Sequence, residues 1–155
     1  MKSTTDILRS HYGHIRGRIA KKLRRQSMIK HGKLCCQRCL QEVNLAQGPR
    51  VRNCELHHVK QLKNHGRYGS DLGCLKQLLN QAGNLAMLCH LCHREFHDLY
   101  EDYEGLGDVK SFELFMQRPP SQDYVKGYLL RMEQKNQRRL VRQQKQAEQL
   151  MAHAG

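Results

Sequence analysis

The sequence contains no tryptophan, and only 3 of its 155 residues are phenylalanine and 3 are proline. Aromatic residues make up 6% of the chain and hydrophobic residues 39%. A chain so poor in large apolar side chains builds a small hydrophobic core, and small cores often need a bound metal for stability. The composition therefore predicts one domain with extensions, and it gives weight to the 7 cysteines.

Long apolar runs are also missing. The longest, such as Leu-Ala-Met-Leu at 85–88, are far shorter than the roughly 20 residues that cross a bilayer. Residues 1–30 are rich in Lys and Arg and contain no apolar segment of the kind found in secretory signals. We therefore expect a cytoplasmic protein with free or metal-bound thiols and no membrane partner.

Acidic residues are scarce, since 14 Asp and Glu stand against 27 Lys and Arg, and the formal net charge is +13. The excess is uneven, because residues 1–34 contain one acidic residue, Asp6, whereas the segment 98–123 is mainly acidic. A strongly basic chain favours a polyanionic partner. We expect that partner to be DNA, with RNA as the alternative.

The hydrophobic pattern predicts a mixed α+β fold. Residues 4–31 have apolar side chains at helical spacing and are followed by Gly32, which predicts a basic helix with a break near Gly13. Short strands are predicted within 51–60 and 84–89. The segment 61–83 between them contains four glycines and is predicted to be a long loop with one helical turn.

Three further helices are predicted after the second strand. The first begins near His90 and runs to about Tyr103, and the second is a short helix at 112–117. Pro119 and Pro120 end that segment, and the final helix is expected over 123–151.

The final helix carries seven Lys and Arg residues, and its role has three interpretations. Its apolar positions fit a heptad pattern interrupted at Asn136 and Gln143, so it is a candidate for a two-stranded coiled coil that joins a homodimer. It also has the composition of a solvated basic helix that lies along a phosphate backbone. The third interpretation is a helix packed into the core.

Two cysteine pairs, Cys36-x-x-Cys39 and Cys89-x-x-Cys92, have the spacing of zinc knuckles. Four thiolates in a tetrahedral array are the usual ligands of structural Zn²⁺. The sequence therefore predicts one four-cysteine zinc site. The other three thiols are expected not to bind metal. Cys35 is the extra cysteine next to the first pair, Cys54 is expected in a strand and Cys74 in a loop.

Histidines are concentrated in the same region. His57 and His58 are adjacent in a predicted strand, so their side chains point to opposite faces and cannot easily bind the same ion. His93 and His97 lie one helical turn apart, which allows both to bind one ion. One member of the His57–His58 pair can complete a three-histidine site while the other accepts a proton from water.

Four segments in this order, CQRC, ELHHVK, NLAMLC and CHLCHREFH, resemble the HNH endonucleases, also called His-Me finger or ββα-metal nucleases. The resemblance covers about residues 34–100. The ELHH tetrad and the His-x-x-x-His pair are similar to the nuclease domains of DNase colicins, and the two knuckles to zinc-stapled HNH proteins of phages and bacteria. The resemblance implies a bacterial or phage-encoded α+β protein with a ββα-metal core that is stapled by a four-cysteine zinc site. Basic N- and C-terminal helices would flank this core.

The resemblance also implies roles for single residues. His58 aligns with the general base, and Asn84 with the asparagine that fixes the loop orienting this base. The catalytic ion, which would be Mg²⁺, Mn²⁺, Ni²⁺ or Zn²⁺, has three implied ligands: His57, His93 and His97. Arg94, one residue beyond His93, is our own candidate for a phosphate contact.

Three neighbouring features are expected to be peripheral to this chemistry. His90, between the second pair of cysteines, is expected to face solvent. Glu55 is expected to be an ordinary strand residue paired with a nearby arginine such as Arg52. Family members often have a short Gly-Gly segment after the histidine strand, whereas residues 62–83 intervene here, and we assign this insertion to substrate contact.

The implied function is metal-dependent hydrolysis of DNA phosphodiester bonds, by nicking or double-strand cutting. A histidine-activated water attacks phosphorus and a divalent ion stabilises the leaving 3′ oxygen. The alternative is a non-catalytic, zinc-stapled DNA-binding module. We divide the chain into a basic N-terminal helical extension (1–33), a zinc-stapled nuclease core (34–105) and a C-terminal helical extension (106–155).

Overall fold

The computed structural model describes residues 2–43 and 53–153, without the side chains of 12–16 and 152–153. The helices and strands of these residues are α1 (Thr4–His31), β1 (Cys54–His58), α2 (Leu72–Leu79), β2 (Leu85–Cys89), α3 (His90–Glu95), α4 (Asp108–Gln117) and α5 (Gln122–His153). Short 3₁₀ segments occupy Leu62–Tyr68, Ala82–Asn84 and Tyr103–Gly105, and α3 continues into a π-helical turn, Phe96–Tyr100. The predicted α+β class is confirmed.

The chain forms two compact units, Met1–Pro119 and Pro120–Gly155. The first contains both strands and helices α1 to α4, and the second contains α5. The division of the sequence at residues 33 and 105 stays a prediction.

Helix α1 has a defined cap at each end. The Ser3 side chain accepts a hydrogen bond from the Asp6 N–H at the N-terminus, and Gly32 adopts a left-handed φ of 67° at the C-terminus. The helix runs without interruption through Gly13, so the predicted break there is wrong. Leu8 and Leu23 are buried on one side of it, and this packing offsets the cost of the interior glycines.

Strands β1 and β2 form a two-stranded antiparallel sheet in which Cys54 pairs with Cys89 and His58 with Leu85. Both strands lie within the segments predicted from the sequence. β2 is buried along its whole length, and α3 begins at the residue after it. A hairpin-like pair of strands therefore leads directly into the helix that carries His93 and His97.

The segment between the strands is helical, which corrects the predicted long loop. Helix α2 begins after Asp71, whose side chain accepts a hydrogen bond from the Cys74 N–H at 2.6 Å. Leu75 and Leu79 of α2 are buried against Leu8 of α1. This apolar contact stabilises a helix in a glycine-rich stretch, and it places Cys74 in an exposed helical turn instead of a loop.

The preceding 3₁₀ segment is fastened to α4 through one buried carboxylate, Asp108. It accepts hydrogen bonds from the Gln61 N–H at 2.8 Å, the Asn64 side chain at 2.7 Å and the Tyr68 hydroxyl at 2.6 Å. Three donors satisfy the buried charge, so the chain that leaves β1 has a fixed path.

The main core lies between the sheet, α3 and α4. Phe96, Phe115 and Leu88 are fully buried in it, and Cys36 and Cys92 belong to the same cluster. The first knuckle therefore packs on the apolar core that also supports α3.

Helix α5 forms the second unit by itself. Its first turn is capped by Ser121, whose hydroxyl accepts a hydrogen bond from the Tyr124 N–H at 3.3 Å. Residues 133–151 are exposed throughout, including Leu140 and Leu150. Within the described ranges, no helix combines the length and apolarity needed to span a bilayer. The three interpretations of this helix stay predictions.

Candidate metal centres

The four knuckle cysteines converge on one point, as the sequence predicts. The cysteine cluster consists of Cys36, Cys39, Cys89 and Cys92, whose sulfur atoms all lie within 4.8 Å of one another. The Cys39 and Cys89 sulfurs are 3.9 Å apart. Tetrahedral Zn–S bonds of about 2.3 Å place the sulfurs about 3.8 Å apart. The cluster therefore has the spacing to hold a structural metal such as zinc.

The first knuckle is a tight turn fastened to β2. The Leu40 N–H donates to the Cys36 carbonyl at 3.0 Å, and Leu40 adopts a left-handed φ of 57°. The Gln37 N–H donates to the Met87 carbonyl at 2.9 Å, and the Met87 N–H donates to the Gln37 side chain at 2.7 Å. These bonds bring Cys36 and Cys39 to the end of the strand that carries Cys89.

The pKa values of the four thiols are shifted in opposite directions, lowered for Cys36 and Cys39 and raised for Cys89 and Cys92. Hydrogen bonds from Cys39, Cys89 and Cys92 lower the pKa of Cys36 far below its ordinary value. Hydrogen bonding to Cys36 is the main cause that raises the pKa of Cys92 in turn. Three buried thiols and one half-buried thiol this close together are suited to a divalent cation, which stabilises all of them as thiolates.

A buried ion pair joins the first knuckle to α3. Arg38, between Cys36 and Cys39, contacts Glu95 at 2.5 and 3.2 Å, and the two side chains are 1% and 0% exposed. The same guanidinium donates to the Phe115 carbonyl at 2.9 Å and lies 3.9 Å from the Cys92 sulfur. Its positive charge therefore helps to offset thiolate charge in the cysteine cluster.

We expect Arg38→Met to lower the free energy of unfolding by about 3–5 kcal/mol, because it leaves the Glu95 carboxylate buried without its partner. The double variant Arg38→Met/Glu95→Met should recover most of that loss, since no buried charge remains. Denaturant unfolding of the zinc-loaded proteins measures both effects. A single variant as stable as the wild-type protein would contradict the structural role of this pair.

The second group is the histidine cluster, which consists of His57, His93 and His97. One nitrogen atom of each residue lies within 4.8 Å of the others, and the Nε2 atoms of His93 and His97 are 3.3 Å apart. Tetrahedral metal–nitrogen bonds of about 2.0–2.1 Å place the nitrogens about 3.3 Å apart. His57 Nε2 is buried and has no hydrogen-bond partner among the described residues. All three observations fit a bound metal ion.

His57 enters the histidine cluster from β1, on the sheet face that packs against α3 and α4. Its ring packs edge-on against Phe96 and stacks on Phe112, with distances of 4.5 and 5.2 Å between the ring centroids. Burial, followed by repulsion from His93 and His97, lowers the pKa of His57 to about 2. This imidazole is therefore neutral at physiological pH, which is the form that binds metals.

Carboxylates orient the two helical histidines. Glu55 contacts His93 Nδ1 at 2.6 Å, and Glu101 contacts His97 Nδ1 at 3.2 Å. A carboxylate on Nδ1 fixes the ring and makes Nε2 the metal-binding atom. The Nε2 atoms of both residues indeed face each other within the histidine cluster.

Glu55 and His90 differ from what the sequence predicted. Glu55 binds His93 and also contacts His90 Nδ1, while Arg52 lies outside the described residues. His90 is buried instead of facing solvent, because this carboxylate holds it at the start of α3. The missed signal was the spacing of two residues between Glu55 and His57, which places both on one face of a strand.

We expect Glu55→Ala to weaken divalent-ion binding at the histidine cluster about 10- to 100-fold, because His93 loses the carboxylate that orients its ring. Titration of the zinc-loaded protein with Ni²⁺ measures this affinity. Glu113→Ala is the matched control, since Glu113 is exposed on α4. Equal Ni²⁺ affinities for the two variants would contradict the orienting role of Glu55.

His58 points away from the histidine cluster, as adjacent strand residues must. Its Nε2 lies 3.2 Å from the Asn80 side-chain oxygen, and the Asn80 amide donates to the Leu8 carbonyl of α1 at 3.3 Å. Burial lowers the pKa of His58 below its ordinary value, although the bond to Asn80 acts in the opposite direction. An imidazole that donates from Nε2 carries its basic lone pair on Nδ1.

Asn84 holds the chain that leaves β1. Its side-chain oxygen accepts from the Lys60 N–H at 2.7 Å, and its amide donates to the carbonyls of Lys60 at 3.1 Å and Leu79 at 2.8 Å. The anchored backbone lies two residues beyond His58. Asn84 therefore limits the positions that His58 can adopt.

Arg94 lies next to His93 on α3 and pairs with Asp98 at 2.8 Å across one turn. An exposed pair of this kind contributes only about 0.3–0.5 kcal/mol. A phosphate can therefore compete with Asp98 for this guanidinium, and the phosphate contact stays a prediction.

Comparison of the chain with protein-family models, with curated proteins and with solved structures finds no match.

Proposed function

We propose that this protein is a metal-dependent endonuclease of the HNH type, which hydrolyses phosphodiester bonds of DNA. The observation that carries the proposal is the arrangement around β1. A three-histidine cluster with the spacing of a metal site lies on one face, and a neutral histidine oriented by an asparagine lies on the other. A protein that only binds DNA has no need of a proton acceptor beside such a cluster.

The chemistry of the ion follows from its implied ligands, His57, His93 and His97. A divalent ion bound there would supply Lewis-acid stabilisation of negative charge on the phosphate oxygens and on the leaving 3′ oxygen. Imidazole ligands bind transition metals such as Ni²⁺ and Zn²⁺ more tightly than Mg²⁺. All four candidate ions (Mg²⁺, Mn²⁺, Ni²⁺ and Zn²⁺) are retained, since tight binding and support of turnover are separate properties.

His58 acts as the general base in this proposal. Its Nδ1 takes a proton from water while the water oxygen bonds to phosphorus and the bond from phosphorus to the 3′ oxygen breaks. The 3′ oxygen takes a proton from solvent, so the products carry a 5′-phosphate and a 3′-hydroxyl. Asn80 keeps the other proton of the imidazole on Nε2, and burial keeps the ring neutral near pH 7.

The cysteine cluster has a positioning role. Cys89 ends β2, and Cys92 directly precedes His93 in α3. A zinc ion held by the two knuckles would fix the start of α3 and thereby the direction of His93 and His97. The segment 88–97, which is rich in cysteine and histidine, would thus supply ligands to a structural zinc ion and to a catalytic ion.

The DNA partner is proposed from charge. Helix α1 exposes Arg18, Lys21, Lys22 and Arg25, and α5 is basic and exposed over most of its length. Contacts of such side chains with phosphates dominate the affinity of basic proteins for DNA and carry little sequence information. We therefore expect strong salt dependence and few base contacts.

Incubation with supercoiled plasmid tests this function. We expect conversion to nicked or linear DNA with at least one of Mg²⁺, Mn²⁺, Ni²⁺ and Zn²⁺, and none when EDTA is added before the DNA. A non-catalytic DNA-binding module would retard the plasmid in a gel and leave it supercoiled with every ion. That result would replace the nuclease with the alternative.

A further inference from the structure

A basic cleft lies between α1 and α2, on elements that the proposed chemistry does not use directly. This α1–α2 cleft has a volume of about 260 Å³ and is lined by Lys2, Ile7, Ser10, His11 and Lys76. Its polar lining consists of two ammonium groups, one imidazole and one hydroxyl. No carboxylate belongs to the described lining, so the cleft has the chemistry of an anion site.

The two lysines of the cleft differ from basic residues nearby. Lys63 pairs with Glu101 at 2.5 Å, and Arg67 pairs with Asp102 at 3.3 Å. Within residues 2–43 and 53–153, neither Lys2 nor Lys76 has a carboxylate at ion-pair distance. The pKa of Asp6 is lowered mainly by its hydrogen bond with Ser3 and least by Lys2, which acts from beyond ion-pair distance, so both lysine charges are available to a ligand.

The acidic residue closest in sequence, Asp6, is already engaged. It accepts a hydrogen bond from the Ser3 hydroxyl at 2.6 Å and pairs with Arg9 at 3.4 Å. These contacts stabilise the first turn of α1 and direct the carboxylate to its own helix. Asp6 is not among the residues that line the cleft.

The walls of the cleft are fixed by buried packing. Leu8, which follows Ile7, is fully buried against Leu75 and Leu79, and Lys76 stands between these two leucines in α2. The Asn80 amide adds a hydrogen bond to the Leu8 carbonyl. Ser10, His11 and Lys76 are thus mounted on two helices that cannot easily separate, and Lys2 lies two residues before the first of them.

We propose that the α1–α2 cleft binds a phosphodiester of the substrate strand at a phosphate other than the one that is cleaved. This inference rests on the proposed function. The ammonium groups of Lys2 and Lys76 neutralise the phosphate, and the Ser10 hydroxyl and the His11 ring donate hydrogen bonds to its oxygens. Ile7 offers an apolar contact to the adjoining sugar.

The position of the cleft relates it to the proposed base. Asn80 bonds both to Leu8, which is buried next to the lining residue Ile7, and to His58. A phosphate held between α1 and α2 is therefore tied to the position of His58 through a single side chain. This gives the insertion at 62–83 a function, because α2 supplies Lys76 and the chain directly after it supplies Asn80.

The test measures DNA binding by the full-length, zinc-loaded protein, with His58→Ala in the background to prevent cleavage. Fluorescence anisotropy of a labelled 20-base-pair duplex gives Kd at several salt concentrations. We expect Lys2→Gln and Lys76→Gln each to reduce the slope of log K against log salt by about 0.9, which weakens binding about fivefold at roughly 0.15 M salt. Lys110→Gln is the control, since Lys110 is exposed on α4 and makes the same charge change outside the cleft.

The outcomes separate this inference from the proposed function. The proposed phosphate binding in the cleft would be overturned if Lys2→Gln and Lys76→Gln gave the same salt slope as Lys110→Gln. This holds even if the wild-type protein cuts plasmid. If the two variants reduce the salt slope but the wild-type protein cuts no DNA, phosphate binding in the cleft would be supported and the proposed nuclease activity rejected.

Calorimetry with inorganic phosphate distinguishes a strand phosphate from a free anion. We expect no binding below millimolar concentrations, because a single phosphate makes only the contacts of one subsite. Tight phosphate binding that Lys76→Gln abolishes, with duplex affinity unchanged, would assign the cleft to a free anion and overturn the proposal.

Discussion

Replacement of His58 by alanine is expected to abolish DNA cleavage while zinc content and DNA affinity persist. General base catalysis contributes typically 10²- to 10⁴-fold to a rate, and the variant loses the group that accepts the proton from water. The structural cost is modest, since truncation removes the hydrogen bond to the buried Asn80 side chain, which costs about 1–3 kcal/mol. The rate of plasmid nicking at saturating metal measures the effect.

The matched control for this variant is His31→Ala, because His31 is exposed in the last turn of α1. It should cut plasmid at close to the wild-type rate. A His58→Ala protein that kept more than about a tenth of that rate would show that another group takes the proton, since the expected loss is at least about 10²-fold.

Replacement of Cys92 by serine is expected to give an insoluble or molten protein. The binding energy of a structural zinc ion is folding energy, of the order of 10 kcal/mol in small zinc domains. The position also matters, since Cys92 is fully buried in the core that contains Phe96 and Phe115. Cys39→Ser should behave in the same way, because it removes a ligand from the same cysteine cluster.

Cys74→Ser is the control for the cysteine variants, since Cys74 is exposed on α2 and lies outside the cysteine cluster. It should retain zinc and the wild-type melting temperature. A well-folded, zinc-free Cys92→Ser protein with an unchanged melting temperature would disprove the structural zinc site and make these thiols ordinary core residues.

The features predicted correctly from the sequence have short-range signals. The C-x-x-C pairs, the alternation along β1 and the four-residue spacing of His93 and His97 each fit within one turn or strand. Antiparallel pairing of β1 with β2 then joins these local elements, because Cys54 lies opposite Cys89. That register positions His57 and Cys89, and the hydrogen bonds between Gln37 and Met87 then add the first knuckle to the cysteine cluster.

The prediction failed where tertiary contacts override local preference. The glycines at 66, 69, 73 and 83 indicated a loop, but burial of Leu75 and Leu79 against Leu8 stabilises a helix there. These leucines are far in sequence from α1, so their burial could not be seen from residues 61–83 alone. Asn80, which orients His58, was missed for the same reason.

Several partners of the site were missed because they are polar pairs between distant segments. Arg38 and Glu95 lie 57 residues apart and meet only because the two knuckles converge. Glu55 meets His90 and His93 only after β1 has packed against α3. Glu101 is different, since it stands four residues after His97 and could have been identified from helical spacing.

Cleavage of an end-labelled DNA duplex in ¹⁸O-labelled water tests the central claim most directly. Hydrolysis by a His58-activated water predicts fragments with a 3′-hydroxyl and a 5′-phosphate that contains one ¹⁸O atom, detected by mass spectrometry, only when a divalent ion is present. An uncut duplex with every ion would contradict the account, and so would fragments whose 5′ ends carry no ¹⁸O.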